Sequence, residues 1–290
     1  MILGLGGGKG ERGLARGTGA WKTGADWGGC AVTHAVLKRF ALDGKVAVVT
    51  GGGDGIGRAA SRHLASAGAV VAVLDKDGEK AERVAEAIRA EGAAATAHQV
   101  NVADEAGLEA VLGEVAARQG RLDILVNNAG MAIRSKATEM SLEDWNQVLA
   151  VNLTGMFLAA RICARQMIAG GRGGAIVNTA SVMGLSGGLY PNVAYQTTKG
   201  GVVNMTRALA LEWVGSEIRV NAVAPTFVRT AFIAGLTGNP EVLATIEAAT
   251  PMGRLAEPEE IADAILFLCS PAAAMITGAI LPVDGGYLAR

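Results

Sequence analysis

Residues 46–57 read VAVVTGGGDGIG, a β-branched apolar run that passes directly into a glycine-rich turn. Residues 46–50 predict a buried strand, and a helical pattern begins at about Ile56. Glycine suits such a turn because a tight strand-to-helix connection requires unusual φ values. Missing side chains also let a phosphate approach backbone N–H groups at the positive end of a helix. The stretch therefore predicts a phosphate-binding turn, although a merely flexible turn would contain the same glycines.

From residue 45 onward, short β-branched runs alternate with Ala-rich helical stretches, which predicts a parallel sheet joined by helical crossovers. The predicted strands are 46–50, 70–74, 95–100, 124–127, 175–179, 218–222 and 280–283. The predicted helices are 56–67, 79–91, 105–119, 142–169, 192–214 and 259–268, several of them after Asp or Ser caps. Strands that are apolar throughout favour a sheet covered on both faces. The fold class is thus α/β, a doubly wound parallel sheet of the Rossmann type with about seven strands, whose ligands bind beyond the carboxyl ends of the strands.

Composition indicates one globular domain and a small-molecule partner. The chain has 290 residues, half of them apolar and 18% charged, which suits a single domain over 39–290. Residues 1–38 are glycine-rich without a lasting apolar period and predict a disordered extension. The formal charge of −1 argues against binding to nucleic acid or to an anionic membrane. No apolar run approaches the ~20 residues of a membrane-spanning helix, so we expect a protein without membrane contact.

Cysteine and histidine usage favours a reducing, cytoplasmic setting and no metal site. These residues are Cys30, Cys163, Cys269, His34, His63 and His98. The cysteines are too few and too scattered for a disulfide framework, and none stands in a CxxC pair. The histidines are equally far apart, whereas metal ligands usually come in closely spaced pairs.

An acidic residue follows the second predicted strand at the distance expected of a dinucleotide site. Asp75 lies eighteen residues beyond Gly57, where a carboxylate accepts both hydroxyls of an adenosine ribose. A carboxylate ~4 Å from a phosphate charge costs on the order of 1 to 4 kcal/mol per unit charge. We therefore predict NAD, with NADP disfavoured, although Lys76 offers a positive charge and Asp54 adds a negative one. The alternative is that Asp75 only caps its loop.

A serine, a tyrosine and a lysine form a candidate catalytic group. Ser181 follows the strand at 175–179, and Tyr195 and Lys199 are four residues apart on a predicted helix, so they share one face. The lysine ammonium is expected to lower the pKa of the phenol and make it a usable base. Ser181 is expected to hold the substrate oxygen. A Tyr-x-x-x-Lys pattern also arises by chance, so its position after the predicted strand carries the argument.

Taken together, these motifs over about residues 40–290 resemble the short-chain dehydrogenase/reductase family. The residues that carry the resemblance are Thr50-Gly51-x-x-x-Gly55-x-Gly57, Asn127-Asn128-Ala129-Gly130, Asn152, Ser181 and Tyr195-x-x-x-Lys199. The resemblance implies that Tyr195 is the acid/base, that Ser181 orients the substrate and that Lys199 binds the nicotinamide ribose. Asn152 would hold a water that relays protons. The implied cofactor-binding residues are Gly51, Asp54, Gly55, Ile56, Gly57, Asp75, Asn101, Val102, Asn128, Ala129, Gly130, Tyr195, Lys199, Pro225, Phe227, Val228 and Thr230.

The chain departs from the family pattern in three places. Asn101 stands where an aspartate commonly touches the adenine, but its amide still offers a donor and an acceptor. Thr226 follows Pro225 where glycine is more usual, and a β-branched residue restricts the backbone there. The extension at 1–38 has no counterpart. None of these departures removes a catalytic group.

Two segments, 184–192 and 227–250, are expected to flank the substrate. Ser186, Gly187 and Gly188 leave room, Tyr190 and Asn192 offer hydrogen bonds, and Phe227, Phe232 and Leu236 supply an apolar lid. A small polar or semi-polar substrate fits this mixture. Residues 220–226 resemble sugar and polyol dehydrogenases of the family, which favours oxidation of a sugar or polyol.

Two other functions remain open at this point. A 3-oxoacyl-[acyl-carrier-protein] reductase shares every motif, but it normally needs NADPH and a basic surface beside the pocket. Asp75 and the scarcity of Lys and Arg in 227–250, Arg229 excepted, count against it. A catalytically silent nucleotide-binding protein would keep the fold alone, and the presence of Ser181, Tyr195 and Lys199 argues against it.

Two predicted helices, 142–169 and 192–214, are apolar on more than one face, which suggests a homotetramer paired through them. The apolar residues concerned are Val148, Leu149, Met156, Phe157, Leu158, Val203, Met205, Leu209 and Trp213. The alternative is burial of all of them within one chain.

Overall fold

In the computed structural model, which describes residues 34–289, the β-branched runs of the sequence form one parallel sheet. Its strands are β1 Val46–Thr50, β2 Val70–Asp75, β3 Ala95–Gln99, β4 Ile124–Asn127, β5 Gly174–Thr179, β6 Ile218–Pro225 and β7 Ile280–Val283. They lie in the order β3-β2-β1-β4-β5-β6-β7. Thr50 pairs with both Leu74 and Asn127, so the carboxyl ends of the three central strands lie level. The predicted doubly wound α/β fold is confirmed.

Helices cover both faces of the sheet. They are α1 His34–Leu37, α2 Gly55–Ser66, α3 Gly78–Ala90, α4 Glu105–Gln119, α5 Leu142–Leu149, α6 Gly155–Gly170, α7 Val193–Trp213, α8 Ala234–Thr237, α9 Pro240–Ala249 and α10 Pro258–Cys269. One core contains Ala47 and Val49 of β1 with α2, α3 and α10. The opposite core contains Val46 and Val48 with α4, α6 and α7. Alternate residues of a single apolar strand thus supply two cores, which explains why β1 carries no polar face.

Side-chain caps fix where the helices begin. The carboxylates of Asp54, Asp77 and Asp104 accept backbone N–H groups at the starts of α2, α3 and α4, and the Ser141 hydroxyl does the same for α5. These bonds satisfy N–H donors that have no partner inside the helix. The predicted Asp and Ser caps are therefore confirmed, and the capped ends of α2 and α3 face the carboxyl edge of the sheet.

The predicted helix at 142–169 is interrupted. Residues Ala150–Thr154 form one π-helical turn between α5 and α6, in which the N–H of Gly155 bonds to the carbonyl of Ala150. The whole span Leu142–Gly170 is long and apolar enough to cross a membrane by length and composition, with a mean hydropathy of 1.5. However, 56% of that window is buried inside the fold, as in the core helix of a globular protein.

Two further differences concern the ends of the chain's elements. β6 runs three residues beyond its predicted end, because Ala224 and Pro225 pair with Pro282 and Val283 of β7. Of the extension predicted to be disordered, residues 1–33 and Cys30 lie outside the described residues. Residues 34–40 form two short helical turns, and the ring of Phe40 lies 6.4 Å from that of Phe267.

Candidate active site

A cavity of about 490 Å³ lies along the carboxyl ends of the central strands. All predicted site residues line it except Gly57 and Asn152, and those present are Gly51, Asp54, Gly55, Ile56, Asp75, Asn101, Val102, Asn128, Ala129, Gly130, Ser181, Tyr195, Lys199, Pro225, Phe227, Val228 and Thr230. Gly57 lies directly behind Gly51, and Asn152 lies behind Gly130. The sequence motifs, scattered over 180 residues of chain, therefore meet in one cavity because parallel strands end at a common edge.

The glycine turn after β1 is shaped by close packing. Gly51 has φ +61°, in the left-handed region that favours glycine. A Cβ at Gly57 would clash with the carbonyl oxygen of Gly51 and would lie 2.6 Å from Nδ2 of Asn128. The turn therefore brings the amino end of α2 against the cavity with no side chain between them. Such an end is positively polarised and suits an anionic group such as a pyrophosphate.

Thr50 and Asn128 tie this turn to the neighbouring strand. The Asn128 amide donates to the carbonyl oxygens of Thr50 and Gly51 at 3.3 and 3.1 Å. The Thr50 hydroxyl oxygen accepts the backbone N–H groups of Asn128 and Ala129 at 3.0 and 3.2 Å. Asn128 thus borders the cavity and holds the glycine turn in place, and its contact with a cofactor stays a prediction.

The Asp75 carboxylate lies at the end of β2 and lines the cavity. One oxygen accepts the N–H of Gly53 at 3.0 Å, and the other accepts the N–H of Asp77 at 3.0 Å. The alternative role as a loop cap is therefore part of what Asp75 does. The two bonds also fix the carboxylate toward the cavity, where each oxygen retains a further lone pair for a ligand hydroxyl.

Asp54, inside the glycine turn, is paired with a lysine. Lys80 Nζ lies 2.9 Å from Asp54 Oδ2, and Asp54 Oδ1 accepts the N–H of Gly55 at 2.7 Å. The hydrogen bond from Lys80 holds the pKa of Asp54 below its usual value, and the same bond raises the pKa of Lys80. Sequence reasoning missed this pair. Its consequence is that the negative charge of Asp54 is balanced where a phosphate would approach.

Ser181, Tyr195 and Lys199 come together at the other end of the cavity. Lys199 Nζ lies 5.6 Å from the centroid of the Tyr195 ring and donates to the carbonyl oxygen of Thr179 at 2.6 Å. The Ser181 hydroxyl accepts the N–H of Met183 at 3.1 Å and lies beside the Tyr195 phenol, whose pKa it acts to lower. One turn of α7 thus places a phenol and an amine beside a hydroxyl, which is a proton-transfer group.

Burial dominates the ionisation of this group. It raises the pKa of the Tyr195 phenol, while the Ser181 hydrogen bond and the Arg134 charge act to lower it. Burial also lowers the pKa of Lys199 to about 7. The net shift of the Tyr195 pKa is therefore opposite to the lowering predicted from the sequence, because desolvation of the phenolate outweighs the effects of Ser181 and of the Arg134 charge.

Asn152 occupies the π-helical turn and is fully buried. Its Oδ1 accepts the N–H of Met131 at 2.8 Å, and its Nδ2 donates to the carbonyl oxygen of Met131 at 2.8 Å and to the Thr198 hydroxyl at 3.3 Å. Asn152 therefore connects the loop after β4 with the residue next to Lys199. Its predicted role in holding a water stays a prediction, and π-helical turns are frequent at functional sites.

The substrate end of the cavity combines apolar and polar side chains. Tyr190, Asn192, Phe227, Phe232 and Leu236 line it, whereas Ser186 and the two glycines after it do not. Ser186 Oγ instead donates to the carbonyl oxygen of Val182. Among the described residues, the buried polar atoms without a hydrogen-bond partner include Tyr190 OH, Asn192 Oδ1 and Thr226 Oγ1, all of them at this cavity. Such atoms are rare in folded proteins, and a bound water or a ligand can supply the missing partner.

Arg134 is a cavity residue that sequence reasoning missed. It lies in the loop after β4, with Cζ 5.9 Å from the centroid of the Phe232 ring. The Phe232 ring in turn lies 6.0 Å from the ring of Tyr195. The available signal was its position four residues beyond Gly130, because every loop that follows a strand of this sheet emerges at the ligand edge.

Metal and thiol chemistry find no support in the described part of the chain. Residues 34–289 contain no group of three or more His, Cys, Asp or Glu side chains that could hold a metal ion. Cys163 and Cys269 are free and buried, and burial raises the pKa of both thiols. These cysteines pack in the two cores and do not line the cavity.

Comparisons with known proteins agree with this geometry. A sequence-family profile described as enoyl-(acyl carrier protein) reductase matches residues 51–288. The chain is 45% identical over 248 residues to D-threitol dehydrogenase of Mycolicibacterium smegmatis, covering 86% of this chain and 94% of that protein. It is 42% identical over 246 residues to a 3-oxoacyl-[acyl-carrier-protein] reductase of Aquifex aeolicus, covering 84% of this chain and 98% of that protein. The crystal structure of a gluconate 5-dehydrogenase from Burkholderia cenocepacia, in complex with NADP and tartrate, is similar with a TM-score of 0.84 and 37% identity, covering 88% of this chain and 99% of that one.

Proposed function

The chain belongs to the short-chain dehydrogenase/reductase family of oxidoreductases, and from this membership we propose that it transfers a hydride between NAD and a secondary hydroxyl of a sugar or polyol. The observation that carries the proposal is the meeting of Ser181, Tyr195 and Lys199 with the glycine turn in one cavity. The similarity to D-threitol dehydrogenase supports a polyhydroxylated substrate.

In the proposed mechanism of oxidation, the Ser181 hydroxyl orients the substrate hydroxyl, and the ionised Tyr195 oxygen takes its proton. When bound, an oxidised nicotinamide supplies the hydride acceptor and a positive charge beside these groups. Lys199 would hold the ribose next to the nicotinamide, and its protonated form would stabilise the phenolate. Asn152 fixes Met131 and Thr198 around the group, and its place in a water relay is part of the proposal.

The residues present fit a dinucleotide. The cradle between Gly51 and Gly57 admits no Cβ, the amino end of α2 suits the pyrophosphate, and the Asp75 carboxylate suits the adenosine ribose. We assign Asn101 and Val102 to the adenine side, and Asn128, Ala129 and Gly130 to the middle of the cofactor. Pro225, Phe227, Val228 and Thr230 would surround the nicotinamide.

The preference for NAD over NADP rests on Asp75. Its carboxylate is held toward the cavity by two backbone donors, so it cannot easily turn away from a 2′-phosphate. Of the two lysines that line the cavity nearby, Lys80 is engaged with Asp54. The NADP of the Burkholderia structure belongs to that protein, and comparison of the two nucleotides tests the preference here.

The two alternative functions make different predictions. A 3-oxoacyl-[acyl-carrier-protein] reductase needs a basic docking surface, but Arg229 of the lid is paired with Glu257 at 2.9 Å. A silent nucleotide-binding protein would bind the dinucleotide without turnover. The test is the absorbance of reduced nicotinamide while sugars, polyols, simple secondary alcohols, ketones and acyl thioesters are offered with each nucleotide.

Turnover on polyols or sugars supports the proposal, and turnover confined to acyl thioesters rejects it in favour of the reductase. Tyr195→Phe is the companion variant. We expect it to lower kcat by about 10²- to 10⁴-fold, as for removal of a general acid/base, while the dissociation constant of NAD stays near the wild-type value. Equal activity of both proteins would remove Tyr195 from the mechanism.

We also propose a cytoplasmic homotetramer built from one domain over 39–290. The sequence assigned a set of apolar residues to the subunit interface, and part of that assignment is wrong. Six of these residues are buried within the single chain, namely Val148, Met156, Leu158, Val203, Leu209 and Trp213. The proposal now rests on apolar side chains that stay exposed on α6, α7 and the turn after α7, which are Phe157, Ile168, Leu211 and Val214. Sedimentation at micromolar concentration tests it, and a monomeric species would overturn it. The free, buried Cys163 and Cys269 support a reducing compartment.

A further inference from the structure

The substrate end of the cavity carries a positive charge without a countercharge. Arg134 lines the cavity, and within residues 34–289 its guanidinium has no ion-pair or hydrogen-bond partner. Its recorded contact is with the face of Phe232, 5.9 Å from the ring centroid. Stacking on an aromatic ring holds a guanidinium in place while leaving its N–H donors available.

The carboxylates of the cavity are at its opposite end. Among the described residues, the acidic side chains that line it are Asp54 and Asp75, beside the glycine turn. Asp54 is already paired with Lys80, and Asp75 accepts two backbone N–H groups. Neither of them neutralises Arg134, so the region around Tyr195 attracts an anion.

Arg134 and Tyr195 both lie against the ring of Phe232, and both line the cavity. The Phe232 ring bridges Arg134 and Tyr195, with Tyr195 6.0 Å from Phe232, ring to ring. The charge of Arg134 also lowers the pKa of the Tyr195 phenol. A substrate whose hydroxyl lies at Tyr195 and whose anionic group lies at Arg134 would therefore span the ring of Phe232.

The remaining polar atoms at this end match hydroxyl groups. Tyr190 OH, Asn192 Oδ1 and Thr226 Oγ1 are buried at the cavity and have no partner among the described residues. Leaving such atoms unpaired costs about 1–3 kcal/mol each, and once these side chains rotate toward the cavity the hydroxyls of a polyhydroxylated chain would pair them. A simple apolar alcohol would leave them unpaired.

From these observations we propose that the substrate is a polyhydroxy carboxylate, an open-chain sugar acid of the aldonate class, with its carboxylate bound by Arg134. This inference rests on the proposed function, which it narrows from sugars and polyols in general. In the oxidation, a secondary CH–OH group loses its O–H proton to Tyr195 and its C–H hydride to the nicotinamide, and the product is a keto acid. Tyr190 and Asn192 select the substrate by binding neighbouring hydroxyls, and Arg134 selects it by charge.

The test compares two compounds that differ only at the proposed contact, D-gluconate and D-glucitol, the alditol in which CH₂OH replaces the carboxylate. Wild-type protein is expected to show at least tenfold higher kcat/KM for gluconate. Arg134→Gln is expected to remove this preference, raising KM for gluconate by about 10- to 100-fold and affecting kcat/KM for glucitol by a much smaller factor. Rates are compared on the pH plateau of each variant, because loss of Arg134 also moves the titration of Tyr195.

Two further variants separate charge at this site from charge in general. Arg134→Lys keeps the charge but loses the bidentate fork, and we expect it to restore part of the gluconate preference. Lys136→Gln removes a positive charge from the same exposed loop, where Lys136 pairs with Glu139, and should leave the preference unchanged. Equal loss in Lys136→Gln and Arg134→Gln would overturn the proposal, since a general field effect would then explain both.

Different results of these measurements would reject the carboxylate site and the proposed function. Oxidation of glucitol with no preference for gluconate, or a preference that survives Arg134→Gln, overturns the inference and keeps the function. Absence of turnover on both compounds and on the other sugars and polyols, with either nucleotide, overturns the proposed function. In that case, calorimetric titration of the protein–NAD complex with gluconate decides the role of Arg134, because binding lost in Arg134→Gln supports the anion site and equal binding in both proteins overturns it.

Discussion

Lys199 and Thr179 are joined by a 2.6 Å hydrogen bond from Nζ to the carbonyl oxygen at the end of β5. The amine is buried, and burial lowers its pKa to about 7 from an ordinary value of 10.5. Between these two values the unfolded chain binds more protons than the folded chain, so this group makes stability rise with pH. Below about pH 7 the folded protein bears the full penalty of a buried ammonium.

This linkage predicts a pH-dependent effect of Lys199→Met. The variant removes the penalty, so its melting temperature relative to wild type is highest near pH 6 and falls steadily as pH rises to 9. The change over that interval corresponds to on the order of a few kcal/mol in the free energy of unfolding. Thermal melting of both proteins in the same buffers measures it, with exposed Lys136→Met as the control. A difference that does not vary with pH would show that Lys199 stays protonated in the folded state.

A second prediction concerns the pH profile of alcohol oxidation. Burial raises the pKa of Tyr195, and its hydrogen bond with Ser181 lowers it. The value of kcat/KM should therefore increase with pH as the phenol ionises, and Ser181→Ala should move the midpoint of that increase to higher pH besides lowering the plateau. Initial rates from pH 6 to 10.5 give the midpoints. A midpoint displaced to lower pH in Ser181→Ala would contradict the proposed hydrogen bond.

A third prediction concerns the choice of nucleotide. Asp75→Asn removes one negative charge while keeping an acceptor oxygen for Gly53 or Asp77. We expect the ratio of kcat/KM for NAD to that for NADP to fall by about tenfold or more, the equivalent of about 1.4 kcal/mol. Asp77→Asn is the control, because Asp77 caps α3 and does not line the cavity. An equal ratio in wild type and Asp75→Asn would mean that the carboxylate does not discriminate between the 2′-hydroxyl of NAD and the 2′-phosphate of NADP.

A fourth prediction tests the packing of the glycine turn. Gly57→Ala brings a methyl group against the Gly51 carbonyl and the Asn128 amide, and we expect a destabilisation of roughly 1–3 kcal/mol together with weaker NAD binding. The matched control is Gly113→Ala in α4, where an added Cβ meets nothing within 4 Å. That substitution should stabilise the protein by about 0.5–1 kcal/mol, because alanine favours a helix interior. Equal melting temperatures for Gly57→Ala and wild type would contradict the close contact.

Sequence reasoning reached the sheet and most of the cavity because both depend on local patterns. An apolar run such as 46–50 ends in a turn rich in glycine, and parallel strands bring such ends together without any long-range contact being known. Tyr195 and Lys199 were paired correctly in space since one helical turn fixes their separation.

Features that depend on tertiary packing were missed. The π-helical turn at Ala150–Thr154 has no hydrophobic period that distinguishes it from an α-helix, and the raised pKa of Tyr195 depends on how deeply the phenol is buried. Apolar residues such as Met156 and Trp213 face a neighbouring element of the same chain, which a helical pattern alone does not distinguish from a subunit interface. The place of Arg134 in the cavity depends on its contact with Phe232, 98 residues further along the chain, and no local pattern predicts such a contact.

The anchoring of Met131 by the buried amide of Asn152 separates two tasks that the cavity performs. Asn152 contacts Thr198, next to the proposed proton-transfer residues Tyr195 and Lys199, whose geometry must be kept. It also holds Met131, after which the chain continues to Arg134, the proposed substrate-binding residue. Of residues 132–140, Arg134 lines the cavity, so substitutions there are expected to change which substrates are accepted while Asn152 keeps Met131 and Thr198 in place. Engineering of substrate specificity would therefore best begin at Arg134, on the loop that follows the anchored Met131.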